Sequence, residues 1–315
     1  MKPPYKIAFM GTPALAVPTL KGLIEDPNFD VVAVVTQPDR PVGRSHTPQP
    51  SPIKRLADEH QVPVLTPERV KKNEELLAKL RAMALDAIVL MAYGKILPQE
   101  LLDIPRLGVV NVHPSLLPKH RGVQPIVASI LAGDAETGVT IIKLVIEMDA
   151  GPIIAFSEPL PLSKSETAAT LTPKLADLGA QALLEVLPRY LAGETELVEQ
   201  DHDQATFVQL IKKEDGHINW QNPAELIERQ VRAYNPWPTA FTYFNNQLLK
   251  VMEAEVLDIT NSTPGTVHLT DDGFPAVTTS EKSVKLLVVH LAGKKPMSGS
   301  DFLKGNPNFV DSVLI

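Results

Sequence analysis

Asn111, His113 and Asp149 are the side chains in this chain best placed, by type and spacing, to do chemistry. Asn111-Val112-His113 follows an apolar run, Leu107-Gly108-Val109-Val110, that reads as a buried strand. Side chains alternate across a strand, so Asn111 and His113 project to the same face. An amide and an imidazole then meet at a strand's carboxyl end, where open α/β sheets place their ligands. Asp149 comes after a second apolar strand, Val139-Thr140-Ile141-Ile142. A carboxylate there can orient the imidazole and favour its charged form. The three groups suit attack on a carbonyl, where an oxyanion must be stabilised and a proton moved.

The elements that must position them alternate along the first half of the chain. Strands are expected at Lys6–Met10, Val31–Thr36, Ala87–Met91, Gly108–His113 and Val139–Lys143. Helices are expected near Leu15–Glu25, Ile53–His60, Glu68–Ala82 and Pro125–Leu131, with a long Ala- and Leu-rich one over Thr167–Leu191. Such alternation implies an α/β, Rossmann-like parallel sheet with right-handed crossovers. Glu199-Gln200-Asp201-His202-Asp203-Gln204 is polar and reads as a linker. Beyond it, a helix over Ala224–Ala233 precedes short strands at Thr242–Phe244, Leu248–Ala254, Gly265–His268, Pro275–Thr278 and Val284–Leu291. Their spacing, with turns at Gly265 and Asp272-Gly273, suggests a small OB-like β-barrel. The division expected is 1–193, a linker over 194–206, and 207–315.

At 315 residues the chain can bury two cores, and 44% hydrophobic with 21% charged residues is ordinary for a globular protein. It has no cysteine, which excludes disulfides, thiol nucleophiles and thiolate metal sites. The eight histidines form no ligand-spaced cluster, so no metal site is expected. No signal-peptide layout precedes the first strand and no apolar run reaches membrane-spanning length, so the expected location is the cytoplasm, away from membranes. A net charge of −7 argues against a protein that coats nucleic acid nonspecifically, but leaves room for a local basic surface. Gly11-Thr12-Pro13 offers one glycine where a dinucleotide fold needs Gly-x-Gly-x-x-Gly, so no NAD is expected.

The run Asn111-Val112-His113-Pro114-Ser115-Leu116-Leu117-Pro118, with Asp149 downstream, resembles the folate-dependent formyltransferase family. The resemblance implies that Asn111, His113 and Asp149 transfer a formyl group from 10-formyltetrahydrofolate to an amine. It further implies that Ser115, Leu116, Leu117 and Pro118 touch the folate, the leucines giving a pteridine its apolar wall. Met91 and Tyr93, at the end of their strand, would border the same pocket. The irregular loop opening at Thr36-Gln37-Pro38-Asp39-Arg40 and carrying Arg44 resembles that of family members acting on methionyl-tRNA. Arg232–Ala240, Gly293–Ser298 and Asp301–Gly305 resemble the C-terminal domain of those members.

The resemblance therefore implies initiator methionyl-tRNA as partner and a monomer. Arg40, Arg44, Lys54, Lys294 and Lys295 are the candidate RNA contacts. From Phe207 onward, 10 Lys and Arg face 12 Asp and Glu, so that half is not basic overall. Two departures stand out: Ser45-His46-Thr47 replaces a common Gly-Lys-Lys, and Glu147 and Ala150 replace a glycine and a threonine before and after Asp149. Glutamate avoids backbone conformations that glycine allows, which bears on the shape of that loop. Two other readings are a formyltransferase for a small amine (an amino sugar or glycinamide ribonucleotide) and a non-enzymatic folate- or RNA-binding protein. Whether His113 or water takes the amine proton is open.

Overall fold

The computed structural model describes residues 4–41, 47–260 and 263–314. The chain divides into two compact units: Met1–Pro125 with Glu136–Pro161 and Thr172–Gln209, and Ile126–Ala135 with Leu162–Leu171 and Leu210–Ile315. The polar stretch after residue 193 thus belongs to the first unit.

The first unit is built on seven strands: β1 (Tyr5–Gly11), β2 (Phe29–Val35), β3 (Val64–Leu65), β4 (Ala87–Met91), β5 (Val109–His113), β6 (Thr140–Lys143) and β7 (Ile153–Phe156). Their spatial order is β7-β6-β5-β4-β1-β2-β3. The five strands from β3 to β5 run parallel. Strand β6 is antiparallel to β5, and β7 to β6. This corrects the expectation of an all-parallel sheet. Thr140 pairs with His113, so the connection after β5 returns at the same end of the sheet instead of crossing it. Every residue of β5 is buried, as suits a strand covered on both faces.

Helices α1 (Val17–Glu25), α2 (Pro52–Glu59), α3 (Glu74–Ala82), α4 (Gln99–Leu102), α5 (Pro125–Ala132) and α6 (Ala168–Leu191) complete the first half of the chain. Helix α3 starts later than its apolar pattern suggests. Asn73 caps it by accepting from Leu76 N at 3.0 Å, and Lys72 just before has a left-handed φ of 59° that breaks the run. Within the first unit, α6 lies tight against the site strand. A Cβ on Gly179 would stand 2.8 Å from Val112 Cγ1, so only glycine lets the helix approach β5 this closely.

In the second unit, α7 (Ala224–Ala233) and α8 (Gly299–Gly305) accompany strands β8 (Ala240–Phe244), β9 (Gln247–Leu257), β10 (Val267–Leu269), β11 (Pro275–Thr278), β12 (Ser283–Leu291) and β13 (Met297–Ser298). The antiparallel ladder is β8-β9-β12-β11-β10, with β13 added to β12. Asn245 and Asn246, both left-handed, make the two-residue turn between β8 and β9. The core joins Trp220, Ile227, Leu249, Val251, Phe244, Phe302 and Phe309. The last three rings meet edge to face at 4.8–6.2 Å, the geometry that ring quadrupoles favour.

Candidate active site

Asn111 and His113 leave β5 on one face, as the period of two requires, and Asp149 is carried to them by the loop between β6 and β7. Asn111 Nδ2 donates to Asp149 Oδ1 at 3.3 Å, and the backbone N–H of Gly122 donates to Oδ2 at 2.9 Å. His113 Nδ1 stands 3.7 Å from Asp149 Oδ1. His113 Nε2 lies 3.1 Å from the carbonyl of His120. A carbonyl only accepts, so Nε2 carries the ring proton and Nδ1 presents its lone pair toward the carboxylate. The side chains of His113 and Asp149 are 4% and 13% exposed.

Burial decides the charge of the imidazole. It disfavours the imidazolium and holds His113 below its ordinary pKa of 6.5, while Asp149 and the His120 carbonyl pull it back only partly. Asp149 favours the charged form, as expected; desolvation, which the sequence does not show, outweighs it. Asn111 Oδ1 is buried with no hydrogen-bond partner among the described residues.

The surrounding loops carry backbone strain. Ala92, His120 and Asp149 are non-glycine residues at φ 51°, 60° and 49°. Such residues are costly and persist where their surroundings over-determine them. Asp149 is held by Gly122 at its carboxylate. Its carbonyl and that of Gly151 both accept from Gln200 Nε2, at 2.8 and 2.7 Å. A Cβ on Gly151 would fall 1.9 Å from the Lys143 carbonyl, so this glycine is obligatory. Glu147 is not among the left-handed residues, so the site of the glycine replacement takes ordinary backbone.

The other expected residues are placed unevenly. Ser115 is fully buried, its hydroxyl donating to the Lys119 carbonyl. Leu117 packs in the interior with Ile142 and Ile153, and its N–H donates to Thr140 Oγ1. Leu116 and Pro118 are half-buried. The side chains of Met91 and Tyr93 are in the core; burial pushes the Tyr93 phenol up to about 12. What Tyr93 offers outward is its backbone, and its carbonyl already accepts from Thr12 and Gln37. A cavity of about 410 Å³ borders the foot of the Asp149 loop, lined by Leu102, Arg106, Gly108, Lys143, Leu144 and Ile146. It does not reach Asn111, His113 or Asp149.

Of the candidate RNA contacts, Arg40 is exposed beside the short ladder Arg40–Pro41 with Pro48–Gln49. Lys54 is ion-paired with Asp39 at 2.8 Å. Lys294 and Lys295 are exposed in the turn between β12 and β13. Arg44, with Ser45 and His46, lies outside the described residues. Two groups holding Asp149 escaped the sequence reading: the Gly122 N–H and the Gln200 amide. The signal for the first was a glycine between an arginine and the next helix; Gln200 had none, because a polar run reads as linker.

Amide, imidazole and carboxylate converging at the carboxyl end of a parallel strand equip a transferase that works through a tetrahedral, oxyanionic carbon. Comparison with known proteins narrows this class. Residues 5–187 match the formyl transferase family and residues 210–307 its C-terminal domain, and the chain belongs to that family. It is similar to the methionyl-tRNA formyltransferase of Chloroflexus aggregans, 45% identical over 95% of this chain and 97% of that one. It is 42% identical to that of Bacillus cytotoxicus, over 95% of each. Among solved structures, an N-formyltransferase from Helicobacter canadensis, in complex with folinic acid and dTDP-3-aminofucose, shares the fold. Its TM-score is 0.65 at 18% identity, over 90% of this chain and 98% of that one. HypX from Aquifex aeolicus gives a TM-score of 0.60 at 16% identity, over 98% of this chain and 50% of that one.

Proposed function

We propose that this enzyme transfers the formyl group of 10-formyltetrahydrofolate to the α-amine of initiator methionyl-tRNA, for translation initiation. The observation that carries the reaction is the convergence of Asn111, His113 and Asp149. The likeness to methionyl-tRNA formyltransferases along nearly the whole chain supports the acceptor.

The free amine attacks the formyl carbon, and the tetrahedral oxyanion accepts from the second N–H of Asn111. Burial keeps His113 neutral, so Nδ1 can take a proton from the attacking nitrogen, directly or through water. Asp149 then stabilises the imidazolium across 3.7 Å. The proton passes to N10 of the folate as the carbon–N10 bond breaks, which leaves formylmethionyl-tRNA and tetrahydrofolate. Leu116, Pro118 and the backbone near Ala92–Tyr93 are the groups proposed to border the folate. Ser115, Leu117 and the Met91 and Tyr93 side chains shape that wall from behind.

The C-terminal sheet, read as a small OB-like barrel, is proposed to bind the tRNA through Lys294 and Lys295, with Arg40 and Arg44 on the long loop. Lys54 contributes there only by exchanging its Asp39 partner for phosphate. The proposed setting is a cytoplasmic monomer; no helix among the described residues is long and apolar enough to cross a membrane. The test is formyl transfer from 10-formyltetrahydrofolate to methionyl-tRNA, run beside an amino-sugar nucleotide and glycinamide ribonucleotide. Product on the small amines and none on the tRNA would overturn the acceptor.

A further inference from the structure

Gln200 lies between the two stretches that match the family, 5–187 and 210–307, in a polar run with the composition of a connector. In the structure it is built into the first unit. Val198 and Ile153 exchange backbone hydrogen bonds at 2.8 and 2.9 Å, which lays the run along β7. Gln200 is 5% exposed, and all four hydrogen-bonding positions of its amide face partners. The two N–H groups go to the carbonyls of Asp149 and Gly151. The oxygen accepts from Arg121 Nε and Nη2 at 3.1 and 2.7 Å.

Arg121 is 4% exposed. Besides Gln200, its Nη2 donates to His202 Nδ1 at 2.9 Å and its guanidinium faces the Phe207 ring at 6.0 Å. Its backbone N–H donates to the Thr206 carbonyl, and the next residue, Gly122, donates to Asp149 Oδ2. Asp149 is therefore gripped at its carboxylate by Gly122 and at its backbone by Gln200, and both grips hang on the Arg121 segment.

We infer that Gln200 is a positioning residue for formyl transfer, holding the left-handed Asp149 backbone so that its carboxylate stands at His113 and Asn111. The choice of side chain supports a role beyond filling space. If the only need were to satisfy a buried guanidinium, glutamate would do so as an ion pair. Glutamate cannot also donate to two carbonyls. Glutamine does both, and the donating side is the one turned toward Asp149.

This inference rests on the proposed transfer reaction, and the test separates the two. Gln200→Glu keeps the acceptor for Arg121 and removes both donors to the loop; Gln200→Met removes both functions. Steady-state formylation of methionyl-tRNA is measured for the native chain, both variants and Asp149→Asn, with melting temperature and folate Kd in parallel. The expected result is a kcat about 10–100-fold lower in both Gln200 variants, the range for groups that orient a reacting side chain. KM for methionyl-tRNA and folate Kd should stay within about threefold, and Gln200→Glu should melt near the native chain. A native chain without formylating activity would sink the proposed function itself. An active native chain, a crippled Asp149→Asn and a Gln200→Glu with kcat within twofold of native would overturn this inference alone. A rise confined to KM, or a Gln200→Glu that melts below the assay temperature, would assign Gln200 to binding or stability and overturn it equally.

Discussion

Replacing Asp149 by asparagine changes one charge at the centre of the site and little else in shape. The native carboxylate stands 3.7 Å from His113 Nδ1. At that separation, with an effective dielectric of about 20, a full imidazolium–carboxylate pair is worth about 4.5 kcal/mol. A transition state in which half the proton has reached His113 feels roughly 2 kcal/mol of it. At about 1.4 kcal/mol per tenfold in rate, kcat should fall between about 30-fold and about 1,600-fold. An amide also cannot match the native hydrogen bonds. With its oxygen kept on the Gly122 N–H, its NH2 faces the Asn111 NH2 and the lone pair of His113 Nδ1. That blocks the base, so the lower end of the range is the minimum. The assay is single-turnover formylation of methionyl-tRNA at saturating 10-formyltetrahydrofolate, with folate Kd and circular dichroism as controls. A loss under about fivefold in a folded, folate-binding Asp149→Asn would refute the electrostatic role assigned to this carboxylate.

Four further outcomes are expected. Burial holds the folded pKa of His113 below 6.5, so the unfolded chain binds the extra proton first: stability is fully present above pH 6.5 and is lost as pH falls through the folded value. His113→Gln should flatten that acid slope by up to about 1.4 kcal/mol per pH unit in urea unfolding, and an unchanged slope would count against the buried neutral ring. Gly151→Ala drives a Cβ into the Lys143 carbonyl at 1.9 Å and should cost at least about tenfold in kcat; native turnover would show that the loop is not fixed there. Arg44→Ala should lower kcat/KM for methionyl-tRNA far more than it weakens folate Kd, and equal losses would give the loop a different role. Affinity for methionyl-tRNA should fall with salt with a slope worth roughly three to five phosphate contacts, each about 0.7–0.9, and a salt-independent Kd would argue for a small amine instead.

Much of this was legible in the sequence where one local rule decides. Ala224–Ala233 and Pro275–Thr278 were readable to the residue, and Asn111 and His113 share a face because strand period alone requires it. What escaped depends on the return path of the chain. Nothing in Val139–Lys143 says which way the strand runs. Its direction follows from a connection that comes back at the His113 end, and β7, which follows from that, went unread. The pull of Asp149 on His113 is legible because a sequence lists neighbours, but the larger opposing effect of burial is not, because depth is set by the fold. Lys54 is a candidate RNA contact by sequence, and its pairing with Asp39 across the start of the long loop is a feature no local pattern announces. Gln200 read as linker because its partners are backbone carbonyls, which no side-chain pattern announces.

The hydrogen bond from His113 Nε2 to the His120 carbonyl constrains the proposed chemistry more than any other contact. It fixes the tautomer, so Nδ1 is the one ring atom left to exchange a proton, and Nδ1 faces Asp149. Asn111 reaches the same carboxylate. Base, oxyanion donor and carboxylate therefore lie on one side of the ring, and amine, formyl carbon and N10 must all be presented to that side. Two of the constraining groups are delivered by left-handed, non-glycine backbone: His120, which sets the tautomer, and Asp149, which faces the exchanging nitrogen. The left-handed backbone at His120 and Asp149 accords with the proposed reaction, in which one nitrogen of a buried, neutral imidazole meets substrate and carboxylate from the same direction.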